Sequence, residues 1–477
     1  MMKRYSSWIF IVFLIFSEQG FGQDSTKYLT IKQCVDLAIT NNLQVQQSQI
    51  QMEQSGLAFK QSKDNLLPQI NGTIQQQFNY GRSVSTVNNS YVDVQNGAGN
   101  YSLNANLLLF NGLSLQNAIK QNALAYNASK MDLQQQKDNI TLTVILNYLT
   151  VLSNQEALDI TRRQASVDSS QVVRLEIQNA EGSIPPATLY DLKGQYASDL
   201  VNVVNAVNAL ESSKINLFAV LNVPYQKDAT YEMVSMNVDI SDLNNSSDSI
   251  YQVALQIIPT IKATDLRVQS FQKGIAAARG RLYPSLSVNG SLISNYTSIA
   301  TNGIPGTEYN QFNGSFVDVN GTPTEAYYPN TLLTQKTPVG DQIKNNKFQY
   351  FAFQLNIPIL NYFSARNNVK AAKLNYQNAK VLSNASRNQL QQLVEQAWQN
   401  LRSAYGQYKG YVEQVHAYGE SFRTAEIRFN AGVITSVDYV IAKNNYDRAN
   451  TNLSAARYNY IFRTKILEYY QGRLSLQ

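Results

Sequence analysis

From Leu113 to Glu181 the chain runs for 69 residues without a proline or a glycine, and its apolar residues recur at helical spacing. At a rise of ~1.5 Å per residue this predicts a rod on the order of 100 Å long. Such a rod is several times the length of an ordinary helix and too long to wrap around a globular core. A second stretch of 68 residues, Phe363 to Asn430, also lacks proline. Its glycines, Gly406, Gly410 and Gly419, weaken the helix without ending it. It carries a heptad, with Leu390, Ala397, Ala404, Tyr411, Tyr418 and Ala425 in one row and Val394, Leu401, Tyr408, Val415, Phe422 and Phe429 in the companion row. That is the seam of a left-handed coiled coil. The first rod's seam is less regular, with Asn147 and Asn154 intruding.

Two rods of matching length predict an internal duplication. At an offset of 250 residues Phe110 and Asn111 align with Leu360 and Asn361, Tyr126 with Tyr376, Tyr148 with Trp398, and Gly182 with Gly432. Upstream of each rod a helix ending in a proline recurs, Pro68 and Pro284, at an offset of 216. These prolines mark helix–strand junctions, because the residue before a proline is pushed out of the helical region. The difference of 34 residues (250 − 216) falls in 297–347, which holds Pro305, Pro323, Pro329 and Pro338 and reads as the one long irregular loop.

After each proline the period drops to two. Ile70, Ile74, Phe78 and Tyr80 share one face, with Asn71, Thr73, Gln75, Gln77 and Asn79 on the other. Tyr101, Leu103, Ala105, Leu107 and Leu109 oppose Ser102, Asn104 and Asn106. Leu286, Val288 and Leu292 oppose Ser285, Ser287, Asn289 and Ser291, and Phe351, Phe353, Leu355 and Ile357 oppose Gln354 and Asn356. Strands of this kind suit a barrel that is apolar towards lipid and polar towards its lumen. A soluble sandwich gives the same alternation, and the uncharged polar faces and an export signal favour the barrel. That signal is a candidate signal peptide over 1–22: Lys3 and Arg4, then an apolar run from Trp8 to Phe16, then Gly20-Phe21-Gly22.

The predicted organisation is therefore a signal peptide (1–22); a first repeat (23–221) with a helix, strands 70–80 and 101–109, a long helix 113–181, a turn and a helix 187–221; a connector (222–249); a second repeat (250–470) with a helix, strands 285–296 and 348–359, a long helix 363–430, a turn and a helix 436–470; and a tail (471–477). The fold class is mainly α with a membrane β-barrel portion. Charged residues make up 15% of the chain, against ~25% in soluble domains. The net charge of +6 comes without Lys/Arg blocks, which argues against nucleic-acid binding. One cysteine, Cys34, and one histidine, His416, provide neither a disulfide framework nor a Cys/His metal site. No cofactor is implied and no nucleophile–base set is visible, so an enzyme is not expected; carboxylate pairs stay open.

Four membrane strands cannot close a barrel alone, and open edges are not tolerated in lipid. Several copies must share one barrel, and the same copies then bring their rods together as a tube. With this layout, and with the turns Ala180-Glu181-Gly182-Ser183-Ile184 and Asn430-Ala431-Gly432-Val433-Ile434, the chain resembles the TolC-type outer-membrane efflux proteins over essentially its whole mature length. The resemblance implies a homotrimer with a twelve-stranded barrel, a helical barrel, and an equatorial belt including 222–249. It also implies a periplasmic adaptor, an inner-membrane pump, and outward passage of drugs, metals or proteins. It places the turns at a periplasmic mouth, where Gly182, Ser183, Ile184, Gly432, Val433 and Ile434 would meet the adaptor. By the 250 offset Asp438 aligns with Thr188, and Ile441 with Asp191, so a trimer would carry two acidic rings at the aperture. First-turn acids favouring a helix N-terminus are the alternative explanation of both. Ile434 stands where some family members carry an arginine. The remaining alternatives are a structural coiled-coil protein of the envelope, which leaves the strands unexplained, and a plain porin, which leaves the rods without purpose.

Overall fold

The structure is a computed structural model that describes residues 28–84, 89–234, 246–331 and 333–476. The expected signal peptide 1–22 and the middle of the connector 222–249 lie outside those residues. The chain forms two compact units. The first takes in the chain up to Glu53 with Ala128–Asp265 and Leu382–Gln477, and the second Gln54–Asn127 and Leu266–Val381.

The helical spacing of Leu37, Ala38, Val45 and Ile50 predicts one helix from Thr30 to Leu67; the structure has two, α1 (Ile31–Asn41) and α2 (Leu43–Asp64). Asn42 separates them in an extended conformation. Its carboxamide accepts from Gln44 N–H at 2.9 Å and donates to Val220 O at 3.0 Å, local competition that ends a helix. At the 216 offset the second repeat breaks at the same place by other means. There α5 (Ser247–Ile257) stops at an extended Ile258, and Pro259 opens α6 (Pro259–Gly280).

Pro68 and Pro284 each directly precede a strand. β1 (Gln69–Val84) and β2 (Tyr91–Phe110) pair antiparallel from Gln69–Asn106 to Val84–Tyr91. The composition of 81–100, rich in Gly, Ser and Asn, reads as a loop, yet Gly81–Val84 and Tyr91–Asn100 extend this hairpin through ladder pairing. The first long helix is α3 (Ser114–Ala180), followed by α4 (Pro186–Leu221). β3 spans Ser285–Thr297. The segment 297–347, expected to be irregular, is structured. β4 (Thr301–Gly303) pairs with β7 (Thr334–Lys336), and β5 (Glu308–Val319) with β6 (Thr322–Thr331). Asn320 and Gly321, both at positive φ, make the two-residue hairpin turn between β5 and β6. A short α7 (Val339–Asn345) follows, and Gln342 ties it to both backbone groups of Thr297, at 2.9 and 3.0 Å. β8 is Phe348–Asn356, shorter than 348–359 because Pro358 has no N–H for the ladder. α8 (Ser364–Asn430) is the second long helix, and α9 (Ser436–Tyr470) closes the order.

In the second unit the strand order is β1-β2-β3-β8, all antiparallel neighbours. Between strand and rod the chain turns at Gly112 and Leu113, with φ of +66° and +63°. A Cβ on Gly112 would lie 2.3 Å from Gly280 O, so only glycine fits. Gly112→Ala is expected to cost about 1–3 kcal/mol, read as a lower melting temperature of the purified protein; an unchanged melt would show that the close approach can relax.

In the first unit one core gathers Cys34, Val144, Tyr148, Leu152, Leu217, Leu221 and Tyr231. The Tyr148 phenol sits between Leu29 O (2.6 Å) and Glu232 O (2.8 Å), fastening the segment before α1 to the one after α4. Burial pushes the Cys34 thiol up to about 12, which keeps it protonated. A second core packs Leu390, Val394, Ala397, Leu401 and Ala404 of the heptad against Ile250, Ala254 and Leu467. His416 is exposed. Among the described residues no helix is long and apolar enough to cross a membrane.

Candidate functional site

The sheet of the second unit has two chemically distinct faces. On one, Ile70 lies opposite Ala105, Ile74 opposite Tyr101, Leu103 opposite Leu292, and Val288 opposite Leu107 and Phe353. Tyr101 and Tyr296 stack on this face with centroids 6.4 Å apart. The large side chains there, Ile70, Ile74, Phe78 and Phe353 among them, are exposed. On the other face amides and hydroxyls bond across strands. Asn79 donates to Asn96 at 3.0 Å, Ser291 to Asn104 at 2.7 Å, Asn106 to Asn289, and Asn289 to Gln354 at 3.0 Å. Among the described residues neither edge of the sheet, β1 or β8, has a further partner strand. An apolar exposed face, a satisfied uncharged polar face and two open edges together describe part of a wall between lipid and water.

The helix ends of the first unit carry the turn residues. Gly182 and Gly432 adopt φ of +71° and +70°. Each ends its rod the same way: Ser183 N–H bonds Gln178 O at 2.9 Å and Gly182 N–H bonds Asn179 O at 3.0 Å, with Val433–Arg428 at 2.8 Å and Gly432–Phe429 at 3.0 Å in the other repeat. A serine just ahead of Pro185-Pro186 reads as the cap of α4, but Ser183 instead donates its hydroxyl back to Gln178 O at 2.8 Å, and Pro185 occupies the cap position. Val433 is exposed, whereas Ile184 and Ile434 pack partly buried against Val172, Leu175, Leu189, Leu192, Phe429 and Tyr439.

The Asp438 carboxylate accepts from the Thr435 hydroxyl at 2.8 Å and its N–H at 3.3 Å, completing a capping box on α9. Asp191 on α4 accepts from Ser436 Oγ of α9 at 2.8 Å. Asp438, Asp191 and Ile441 are exposed and Thr188 is half-buried. The turns and the two acids thus gather near the ends of the four helices.

The family model for outer membrane efflux proteins matches residues 34–223 and 330–467. The chain belongs to the outer membrane efflux protein family. It is accordingly an outer-membrane channel protein for export and not an enzyme. Over 342 residues it is 23% identical to the outer membrane protein TolC of Vibrio cholerae, covering 72% of this chain and 69% of that protein. It is 20% identical over 400 residues to TolC of Escherichia coli, covering 82% and 73%. Its fold matches the Campylobacter jejuni CmeC outer membrane channel with a TM-score of 0.73 at 16% identity, covering 94% of this chain and 86% of that one. Within this efflux protein the rods and alternating strands were legible in sequence.

One cluster was not. Lys443 on α9 is 1% exposed and reaches Asp447 (2.7 Å) on its own helix, Asp199 (3.0 Å) on α4 and Asp168 (3.2 Å) on α3. Burial acts to lower the ammonium, but the Asp447, Asp168 and Asp199 carboxylates outweigh it and hold it above its usual value. The signal lay in the spacing. Asp168 continues the row Thr161, Asp168, Leu175 beside Leu158, Ala165 and Val172, a core position of the rod. Nothing in sequence shows which residue answers it. Among the described residues no group of His, Cys, Asp and Glu is placed to hold a metal ion.

Proposed function

We propose that three copies of this chain join their sheets into one closed barrel in the outer membrane. Their long helices line a duct to it, and cargo from an inner-membrane pump arrives through a periplasmic adaptor. The observation that supports this is the four-stranded sheet with an apolar exposed face and two edges that find no partner strand among the described residues. In hydrocarbon each unpaired backbone group costs several kcal/mol, so β1 must find a β8 on another copy. Three sheets of four strands give twelve, within the range of closed outer-membrane barrels.

The partner assignments extend this reading. Gly182, Ser183 and Ile184 with Gly432, Val433 and Ile434 form the adaptor contact, supported by their place at the helix ends. Asp438 and Asp191 line the aperture, with Thr188 and Ile441 as their counterparts in the other repeat. Crowded carboxylates at a narrow mouth attract cations. Light scattering on detergent-extracted protein should return the mass of three chains, and the same sample should conduct in planar bilayers. A single-chain mass without conductance would remove the proposal. Asp438→Asn preserves the cap and is expected to weaken block by divalent cations from the helix side; unaltered block and selectivity would sink the acidic aperture alone.

A further inference from the structure

The cluster around Lys443 holds more negative than positive charge. With every acid ionised it carries one ammonium and three carboxylates, a net charge of −2 (1 − 3). Asp168 is 0% exposed, Asp199 6% and Lys443 1%. Asp168 and Asp199 each place a carboxylate oxygen on the same Lys443 ammonium, at 3.2 and 3.0 Å, and two ionised carboxylates have no proton to place between them. Neither Asp168 oxygen finds a donor in good geometry, although Lys443 Nζ lies 3.2 Å away. Buried acceptors without donors are rare and need an explanation.

We propose that Asp168 holds a proton against the neighbouring Asp199 carboxylate, and that losing it loosens α9 from α3 and α4, so that the packing of the helix ends answers to the surrounding pH. Three helices put these groups at one level. Asp168 lies on the core row of α3. On α4, Asp199 follows Leu189, Leu192 and Tyr196 at core spacing, and on α9 Lys443 follows Ser436 and Tyr439. Such a layer sets the register of packed helices. Its charge balance decides how firmly they hold, because buried charges must be compensated in place.

The groups facing Asp168 are Asp199 from α4 and Lys443 and Tyr439 from α9, and Asp447 of α9 shares the Lys443 ammonium. Glu426 of α8 and Arg174 of α3 act on the Tyr439 phenol from further out. Burial first, and then Asp199, pushes Asp168 up from 3.8 to about 7 against the pull of Lys443. A carboxyl raised in the folded state stabilises fully below its unfolded value and loses that contribution as pH rises through its folded value. The window therefore runs from about 4 to about 7, and packing weakens towards alkaline pH. Burial raises Asp447 in the same direction. Lys443, also raised, loses its contribution only above the usual lysine range.

The device is present in one repeat only. At the 250 offset Lys443 aligns with Lys193, which pairs with Glu176 at 2.8 Å on the surface, while Asp168 and Asp199 align with Tyr418 and Ala449. The inference stands on this packing and not on the export reading.

The test is hydrogen–deuterium exchange of the detergent-purified full chain at pH 6 and pH 8, corrected for intrinsic rates. Backbone opening in the peptide spanning 439–450 should rise about tenfold between the two, with no such rise in the α6 peptide. Asp168→Asn, which keeps the shape and supplies a donor to Asp199, should flatten that rise. Asp199→Asn serves in its place if Asp168→Asn does not fold. Infrared difference spectra of the wild-type protein should show a protonated buried carboxyl that disappears near neutral pH. A wild-type peptide without the rise, a rise retained in the folded variant, or no carboxyl band overturns the proposal.

Discussion

Lys443→Met is expected to be the most destabilising single change in the helical unit, by about 3–5 kcal/mol, because it leaves Asp168, Asp199 and Asp447 without their shared cation. Methionine keeps the volume, so the loss reports charge rather than a cavity. The contrast is Lys193→Met at the aligned position, where both partners of the ion pair are about half exposed and solvent screens them; little change is expected. Urea or thermal unfolding followed by helical circular dichroism measures both. Adding Asp168→Asn and Asp199→Asn to Lys443→Met should recover much of the loss, since uncharged partners no longer need an ammonium. If Lys443→Met melts with the wild type, the cluster is not a buried ionic layer.

Leu103→Arg should have the second largest effect. Leu103 lies on the apolar face opposite Gly72 and Leu292, in the middle of the sheet. An arginine facing lipid near the middle of a barrel wall costs about 2–4 kcal/mol. If three copies share one barrel, that cost enters three times. The heat-resistant oligomer recovered from outer-membrane fractions should therefore fall sharply. Thr73→Arg, on the opposite face of β1, puts its charge into the aqueous interior and should leave the oligomer intact. Equal tolerance of the two substitutions would mean that neither face meets lipid.

What the sequence reveals and conceals here follows the range of the forces involved. A run without proline or glycine between Leu113 and Glu181 has no local means of stopping, so α3 could be read directly. The alternation from Ile70 to Tyr80 is equally local. Asn42 was missed because its break depends on Val220 O, 178 residues away. The β5–β6 hairpin was missed although Asn320-Gly321 is a strong turn signal; the surrounding prolines and polar residues read as loop. Ser183 went to the wrong helix because a hydroxyl next to a turn can serve either end. The Lys443 cluster spans α3, α4 and α9, and its partner Asp199 stands 244 residues away. The spacing puts Asp168 on the core row of its rod, but the residues that answer it show only once the register of the helices is known.

The unpaired rims of the sheet bear on when this protein acquires its stability. If copies share one barrel, a lone copy exposes the free backbone groups of β1 and β8, and those groups are satisfied on meeting other copies. Folding of the sheet, entry into the bilayer and oligomerisation then become one thermodynamic event, governed by how many chains are in the envelope at once. Sparse expression should leave the copies outside the membrane rather than as isolated thirds of a wall within it.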